Sequence, residues 1–314
     1  MYRAYVLIAT CSPGEDLFRT LDSVAECEKP DGFAGVLLVE NGVATGVRDR
    51  LLERYRASLS LEYHHAAEAN KSAALNLAME FISDPEALVI FIDDDVTLHG
   101  KVLSSFAAAA RRSGPGHYFG GPVGRLDPAP RPARYLVPLL PLSVAGWSPR
   151  SGSRPLHFLG YNWAAFVRDL LEAGGFDERF GPGSDYLAGG QETEMQNRLL
   201  RDGVVPVFVR DALVHHRVAP GAQTLPWLLK RSFRIGGYKG LTPRAYGRAD
   251  VYSFEKRTGL AVVERSVRPR GIDAVRCRIA RLACQAAEAF GFVQVRIRAL
   301  CKQPPTFSRR GQLR

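Results

Sequence analysis

The sequence is poor in cysteine and has no long apolar run. Five cysteines among 314 residues form an odd set without a disulfide-like spacing, so we expect a reducing, cytoplasmic setting. No stretch approaches the roughly 18–20 apolar residues that a membrane-spanning helix needs. Met1-Tyr2-Arg3 leads directly into an apolar strand, with no cleavage site of small residues, so we expect no signal peptide. Charged residues make up 24% and hydrophobic residues 46% of the chain, which excludes disorder and a coiled coil.

The net positive charge of the chain comes from its last fifty residues. The whole sequence carries a formal charge of +10. Residues 265–314 contain twelve Lys and Arg against Asp273 and Glu288, so residues 1–264 are neutral as a group. Nucleic-acid binding depends on contacts between basic side chains and phosphates. We therefore expect no nucleic-acid partner for the main body.

Apolar runs alternate with amphipathic segments over the first hundred residues. The runs at Ala4–Thr10, Gly35–Val39, Leu61–His65 and Leu88–Ile92 predict strands, and helical spacing between them predicts helices. Strands buried on both faces and separated by helices indicate an α/β fold with a Rossmann-like, mostly parallel central sheet covered by helices on both faces. Residues 114–155 are rich in Gly and Pro and are interpreted as a loop.

The C-terminal region predicts a basic amphipathic helix. Apolar residues recur every three or four positions from Ile272 to Leu300, and Arg276, Arg278, Arg281 and Arg298 alternate with them. Such a helix can lie on an anionic membrane surface as a peripheral anchor. It can equally pack on the catalytic domain or on a second subunit of a homodimer, with Gly291 as a break. The sequence leaves these alternatives open.

Polar residues follow the predicted strands at their carboxyl ends, where ligands bind in such sheets. These residues are Thr10, Ser12, Glu40, Asn41 and the run Asp93-Asp94-Asp95. Adjacent carboxylates repel one another, and a hard divalent cation such as Mn²⁺ or Mg²⁺ relieves that repulsion. A solvated aspartate-rich turn is the alternative.

Two further segments carry candidate chemistry. Gly189-Gly190 precedes a predicted helix whose first turn holds Glu192 and Glu194. An acid there either complements the helix dipole or acts as a general base. His216 follows an apolar run and either completes a metal site or has a structural role.

Taken together, these segments resemble family 2 glycosyltransferases of the GT-A fold. The matching segments span residues 4–217 in the family's order: YVLIATCS, VEN with Gly42, NKSAALN, FIDDD, GYNWAAFVRDLLEAGGFDERF, GGQETEMQNRLLRDG and the late histidine. The resemblance implies an inverting, metal-assisted enzyme. It would transfer a sugar from a nucleotide-diphosphate sugar, with UDP as the expected nucleotide, to a saccharide or lipid-linked acceptor in surface glycan biosynthesis.

The resemblance also implies roles for individual residues. Glu192 occupies the position of the catalytic base, and Asp95, Asp93 and His216 correspond to the DXD motif and the histidine that meet the metal or the diphosphate. The residues implied to bind the nucleotide or its diphosphate are Thr10, Ser12, Glu40, Asn41, Lys71, Asn76, Asp93, Asp94, Arg231 and Arg234. Lys239 lies near the last two.

The sequence departs from the family pattern at three positions. Glu192 is one methylene longer than the usual aspartate, so the base is set back or reoriented. Gln191 replaces a glutamate and removes a negative charge, which lowers the pKa of the base relative to a paired acid. Ser72 stands where many members have glycine.

The expected organisation has three parts. Residues 1–220 form a GT-A catalytic domain with a nucleotide-binding half (1–100) and an acceptor-binding half (101–220). Residues 221–264 form a basic helical region that closes the active site, and residues 265–314 form the basic helical tail.

Two other functions are compatible with parts of the pattern. A nucleotidyltransferase would share the α/β nucleotide site, but it normally has a glycine-rich loop with a basic residue after the first strand. Here that turn is CSPGE, at residues 11–15. A catalytically inactive scaffold subunit with a membrane-binding tail is the other alternative, and the presence of both Asp95 and Glu192 argues against it.

Overall fold

The computed structural model describes residues 1–126, 131–149, 157–242, 259–260 and 269–301. Within these residues, seven strands form a central sheet in which six run parallel and one runs in the opposite direction. In spatial order the strands are β10 (Val205–Phe208), β6 (His117–Gly120), β9 (Trp163–Phe166), β4 (Leu88–Phe91), β1 (Ala4–Thr10), β2 (Phe33–Asn41) and β3 (Glu62–Ala66). Strand β9 is the antiparallel one, and the predicted mostly parallel sheet is confirmed.

Helices cover both faces of this sheet. They are α1 (Glu15–Glu26), α2 (Arg48–Leu59), α3 (Lys71–Glu80), α4 (Val102–Ser113), α5 (Leu142–Ala145), α6 (Val167–Glu172), α7 (Gln191–Arg201), α8 (Leu225–Leu241) and α9 (Ile272–Cys301). Successive residues of β1 point to opposite faces. Val6 belongs to the core that includes Leu21 of α1, whereas Leu7 belongs to the core that includes Ala78 of α3. This alternation explains why the whole of β1 is apolar.

A second, small sheet lies beside the carboxyl end of β4. It consists of β5 (Val96–Leu98), β11 (Val214–His216) and β7 (Val123–Arg125) in that order. A two-stranded ladder joins β8 (Ser148–Pro149) and β12 (Gly259–Leu260). The interpretation of residues 114–155 as a loop is wrong in part, since β6, β7, α5 and β8 lie there. These elements have two to four residues, too few to show a period in the sequence.

Helices α8 and α9 pack closely through glycine. A Cβ atom added to Gly236 would lie 1.9 Å from the carbonyl oxygen of Glu288, and one added to Gly291 would lie 2.0 Å from that of Phe233. The Lys239 ammonium also forms an ion pair with Glu288 at 2.8 Å. Helix α9 therefore continues through Gly291, which is a contact point between the two helices and not the break that the sequence suggested.

Parts of the predicted C-terminal organisation lie outside the described residues, namely 243–258, 261–268 and 302–314. The division into a catalytic domain, a closing region and a tail stays a prediction. Among the described residues, no helix combines the length and hydrophobicity needed to cross a bilayer.

Candidate active site

The first two aspartates after β4 are each held by a side chain from another element. Asp93 forms an ion pair with the ammonium of Lys71, at the start of α3. Asp94 accepts a hydrogen bond from the hydroxyl of Thr10, at the end of β1. Burial raises the pKa of Asp94, the charge of Asp93 adds to this rise, and the Thr10 hydrogen bond opposes it. These contacts bring the ends of β1, β4 and α3 together.

The third aspartate, Asp95, has a histidine partner. The Nε2 atom of His216 lies 3.2 Å from Oδ2 of Asp95, and the ring of Tyr161 stacks on His216 with 4.8 Å between centroids. The backbone N–H of Arg217 donates to the Asp95 carbonyl at 2.8 Å. Burial alone would raise the pKa of Asp95, but the hydrogen bond and charge of His216 outweigh it and lower the pKa. Asp95 is thus held as a carboxylate.

The Asp95–His216 pair has unused ligand atoms. Oδ1 of Asp95 and Nδ1 of His216 are both buried and have no hydrogen-bond partner. Within the described residues there is no group of three or more His, Cys, Asp or Glu side chains able to hold a metal. Mg²⁺ commonly binds through one or two protein carboxylates together with substrate phosphates and water. The pair therefore fits a metal whose coordination is completed by a phosphate-bearing ligand.

Glu40 and Asn41 lie at the end of β2, next to the end of β1. The side-chain amide of Asn41 donates to the Thr10 carbonyl at 2.9 Å. Glu40 is fully buried, and it accepts hydrogen bonds from the Tyr63 hydroxyl and from the Thr45 N–H at 2.8 Å. Although burial opposes ionisation, these hydrogen bonds lower the pKa of Glu40. The end of β2 thus presents a buried, charged acceptor.

Ser12 lines a depression of about 320 Å³ together with Asp94, Asp95 and the first turn of α1. Two other predicted residues have different partners. Asn76 exchanges two hydrogen bonds with the backbone of Phe176, at 2.7 and 2.9 Å, so its side chain supports that loop instead of facing the strand ends. Lys239 pairs with Glu288 of α9, as described above, and it is absent from the residues that line the cavity described below.

The two acids in the first turn of α7, Glu192 and Glu194, have different surroundings. Glu194 is buried and forms an ion pair with Arg198 at 2.7 Å, which is a structural role. Glu192 is partly buried and faces a cavity. Burial raises the pKa of Glu192, and the charge of Asp93 adds to the rise while Lys71 opposes it. Of these two acids, only Glu192 is placed to exchange a proton with a bound molecule.

Gly160 provides room for the Glu192 side chain. A Cβ atom at position 160 would lie 3.1 Å from both Cγ and Cδ of Glu192. Because real Cβ contacts are rarely that short, the absence of a side chain at Gly160 accommodates the longer acid.

The cavity beside Glu192 has a volume of about 360 Å³ and a basic wall. Its lining includes Lys71, Asp93, Glu192, Trp227, Lys230, Arg231 and Arg234. Burial lowers the pKa of the Arg234 guanidinium, and the nearby charge of Arg231 lowers it further. In the part of the chain that the structure describes, neither arginine has a carboxylate partner. Two neighbouring guanidinium groups in a cavity, without a carboxylate partner among the described residues, favour an anionic ligand.

Sequence reasoning did not identify four supporting residues. Tyr63 holds Glu40, Tyr161 stacks on His216, and Trp227 lies 5.9 Å below the guanidinium of Arg231. The fourth, Arg217, donates to the carbonyl of Val96 beside Asp95. Of these four residues, Arg217 could have been predicted from the sequence, since it directly follows His216.

Comparison with known proteins independently supports the fold described above. No protein-family model matches the chain. The succinoglycan biosynthesis protein ExoM of Rhizobium meliloti (strain 1021) is 27% identical over 247 residues, covering 76% of this chain and 75% of that protein. Mannosyltransferase PcManGT from Pyrobaculum calidifontis, solved with GDP-Man and Mn²⁺, superposes with a TM-score of 0.55 at 16% identity, covering 95% of this chain and 87% of that one.

A third protein has the same architecture. The structure of S. aureus TarS 1–349 in complex with UDP-GlcNAc superposes with a TM-score of 0.54 at 12% identity, covering 94% of this chain and 89% of that one. The chain has the GT-A glycosyltransferase fold. The comparisons confirm the predicted resemblance to family 2 glycosyltransferases, and they support a transferase enzyme. The roles of the individual site residues stay predictions.

Proposed function

We propose that this protein is an inverting glycosyltransferase of glycan biosynthesis. It moves a sugar from a nucleotide-diphosphate sugar, with UDP as the preferred nucleotide, to a hydroxyl of a saccharide or lipid-linked saccharide. One observation carries the proposal: Glu192, whose pKa is raised, lines the same cavity as Asp93, while the adjacent Asp94 and Asp95 line a second depression. The proposed base and the proposed diphosphate-binding groups thus line two cavities whose walls include the adjacent residues Asp93 and Asp94.

Glu192 is the proposed general base. Its carboxylate would accept the proton of the acceptor hydroxyl as the oxygen attacks the anomeric carbon of the donor sugar. A base is most effective when its pKa lies near the working pH, and burial shifts the pKa of Glu192 in that direction. Attack from the side opposite the departing diphosphate inverts the anomeric configuration.

The diphosphate is the proposed partner of the positive groups. Asp95 and His216 would hold Mn²⁺ or Mg²⁺, with Asp93 nearby in its pair with Lys71. When bound, the metal supplies charge stabilisation to the leaving nucleoside diphosphate. Arg231 and Arg234 would bind phosphate oxygens from the cavity that Asp93 and Glu192 also line. Thr10, Ser12, Glu40 and Asn41 would bind the base and ribose at the strand ends.

Names and ligands of similar proteins support this proposal. ExoM is described as a succinoglycan biosynthesis protein, and PcManGT and TarS were solved with GDP-Man and UDP-GlcNAc. These ligands also make GDP the alternative nucleotide to UDP. All five cysteines are free thiols, which supports the proposed location in the cytoplasm, and a peripheral position at the inner face of the cell membrane is part of the same proposal.

Calorimetry with UDP, GDP, dTDP and CDP, each with and without Mn²⁺, tests the proposal. We expect metal-dependent binding of one nucleotide, lost in Asp95→Ala and retained in Asp31→Ala, which removes an exposed aspartate just before the start of β2, at the opposite end of that strand from Glu40. Glu192→Gln should keep nucleotide affinity and lose transfer. If the folded protein binds none of the four nucleotides, the inactive scaffold replaces this proposal.

A further inference from the structure

Helix α9 has one face packed on α8 and an apolar face turned to solvent. The packed side consists of small residues and valine: Cys277, Ala280, Gly291 and Val295 are buried. The exposed side, which we call the outer face of α9, carries eight large apolar residues that are each more than half exposed. They are Ile272, Val275, Ile279, Leu282, Phe290, Val293, Ile297 and Leu300.

The hydrophobic stripe of the sequence therefore does not pack on the catalytic domain. Glycine permits the close approach of α8 and α9, so their contact needs no large apolar side chains from α9. Monomeric proteins rarely leave a continuous apolar surface of this kind exposed without a partner. We therefore expect the outer face of α9 to contact a partner.

The charges around the outer face are of one sign. At 3.6 residues per turn, Arg276 flanks one edge of the stripe, and Arg278 and Arg296 flank the other. Both acids of α9 lie outside the stripe and are paired, Asp273 with Arg276 at 3.8 Å and Glu288 with Lys239 at 2.8 Å. An apolar stripe with arginine on both edges and no acid inside it is complementary to a surface that is apolar inside and anionic at its rim.

We propose that the outer face of α9 docks on an anionic lipid bilayer, parallel to the membrane plane. The apolar side chains would enter the region between headgroups and acyl chains, and the arginines would contact anionic headgroups. A second copy of α9 is a poorer partner, because paired helices need opposite charges beside their apolar seam. Here a pair would bring arginine against arginine.

Docking in this way would also place the cavity near the membrane. Helix α8 packs against α9 through Gly236, and the same helix supplies Trp227, Arg231 and Arg234 to the cavity. A membrane-bound α9 would hold that wall of the cavity close to a lipid-linked acceptor. The docking itself does not depend on the proposed transferase activity.

Vesicle co-sedimentation of the full-length chain tests the proposal. The probes are vesicles of phosphatidylcholine alone and of an equimolar mixture with phosphatidylglycerol, at low and high salt. We expect binding to the anionic vesicles, weakened by salt, and no retention on phosphatidylcholine alone. The double variant Ile279→Ser/Ile297→Ser should lower the partition coefficient by about tenfold or more, because two buried aliphatic side chains are lost. Leu171→Ser, at an exposed leucine of α6, is the matched control and should bind like the parent.

A second pair of variants tests the charges separately. Arg278→Gln/Arg296→Gln should weaken binding to anionic vesicles, whereas Arg111→Gln/Arg112→Gln on α4 removes the same charge elsewhere and should not. Circular dichroism and thermal melting confirm that each variant is folded, as expected for exposed positions. Failure of the parent to bind anionic vesicles at low salt overturns the proposal. So does a dimer in solution that Ile279→Ser/Ile297→Ser converts to monomer without any vesicle binding. Either result leaves nucleotide binding and transfer to be judged by their own assays.

Discussion

His216 lies opposite Val96 in the antiparallel pairing of β11 with β5, and this register brings the His216 imidazole to Asp95, 121 residues earlier in the chain. The contact therefore depends on the small three-stranded sheet and not on the central one. His215, the preceding residue, points to the opposite face because side chains alternate along a strand.

Removing the histidine tests whether this pair holds the metal. We expect His216→Ala to weaken Mn²⁺-dependent nucleotide binding by about tenfold to a hundredfold, the range seen when groups that organise a metal site are lost. His215→Ala is the control on the same strand and should leave that affinity close to the parent value. Calorimetry at several Mn²⁺ concentrations measures both. An unchanged metal dependence in His216→Ala would assign the histidine a purely structural role.

The pH dependence of transfer should report the Glu192 carboxyl. Because burial raises the pKa of Glu192 and the base must be deprotonated, kcat/KM should fall as pH drops through a pKa above the ordinary glutamate value. Glu192→Gln should remove that acidic limb and lower kcat by about 10²–10⁴-fold. A pH–rate profile of parent and variant provides the measurement. If the limb persists in the residual activity of Glu192→Gln, another group is the base.

Gly160 should control where the base sits. We expect Gly160→Ala to lower kcat by about tenfold, because the new Cβ displaces the Glu192 carboxylate by a fraction of an ångström, and to leave UDP affinity unchanged. In the Glu192→Asp background, Gly160→Ala should lower kcat by clearly less than tenfold, since the shorter acid avoids the added methyl group. Steady-state kinetics of the four proteins forms a double-mutant cycle. Full additivity would mean that the two residues do not interact.

The glycine contacts between α8 and α9 should be essential for the basic wall of the cavity. An alanine at position 236 or 291 would place Cβ about 2 Å from a backbone oxygen, so the helices must separate at a cost of about 1–3 kcal/mol in the free energy of unfolding. Gly100→Ala is the control, since a Cβ there meets nothing within 4 Å. Thermal or urea unfolding measures stability, and nucleotide calorimetry measures the effect on Arg231 and Arg234. Equal stability of all three variants would contradict the close packing.

The sequence predicted the fold of the first hundred residues well because the strands there are apolar on both faces. The predicted strand at Ala4–Thr10 coincides with β1, and the polar residues after β1, β2 and β4 do meet at one edge of the sheet. The orientation of α9 could not be predicted in the same way. The periodicity of apolar residues predicted its apolar stripe. The close contact of α8 and α9 at Gly236 and Gly291 leaves that stripe facing solvent. The spacing of hydrophobic residues does not predict where two helix backbones come close together.

The candidate site shows the same limit. Asn76 belongs to a segment that resembles the family pattern, yet its amide is used by Phe176, a hundred residues further along the chain. The pairing of Glu194 with Arg198 follows an i,i+4 spacing that the sequence contains. The cavity that Glu192 faces depends on residues far along the chain, such as Lys71 and Arg231, which a local pattern does not specify.

The small sheet also sets an order for the assembly of the site during synthesis. When the ribosome has made the first hundred residues, β1, β2, β4 and the three aspartates are present, but β11 has not been made. His216 reaches Asp95 only after β11 closes between β5 and β7, and the basic residues of α8 follow later still. A nascent chain would thus already hold the Lys71 and Thr10 partners of Asp93 and Asp94, but it would expose Asp95 without its histidine until the second half of the chain folds back.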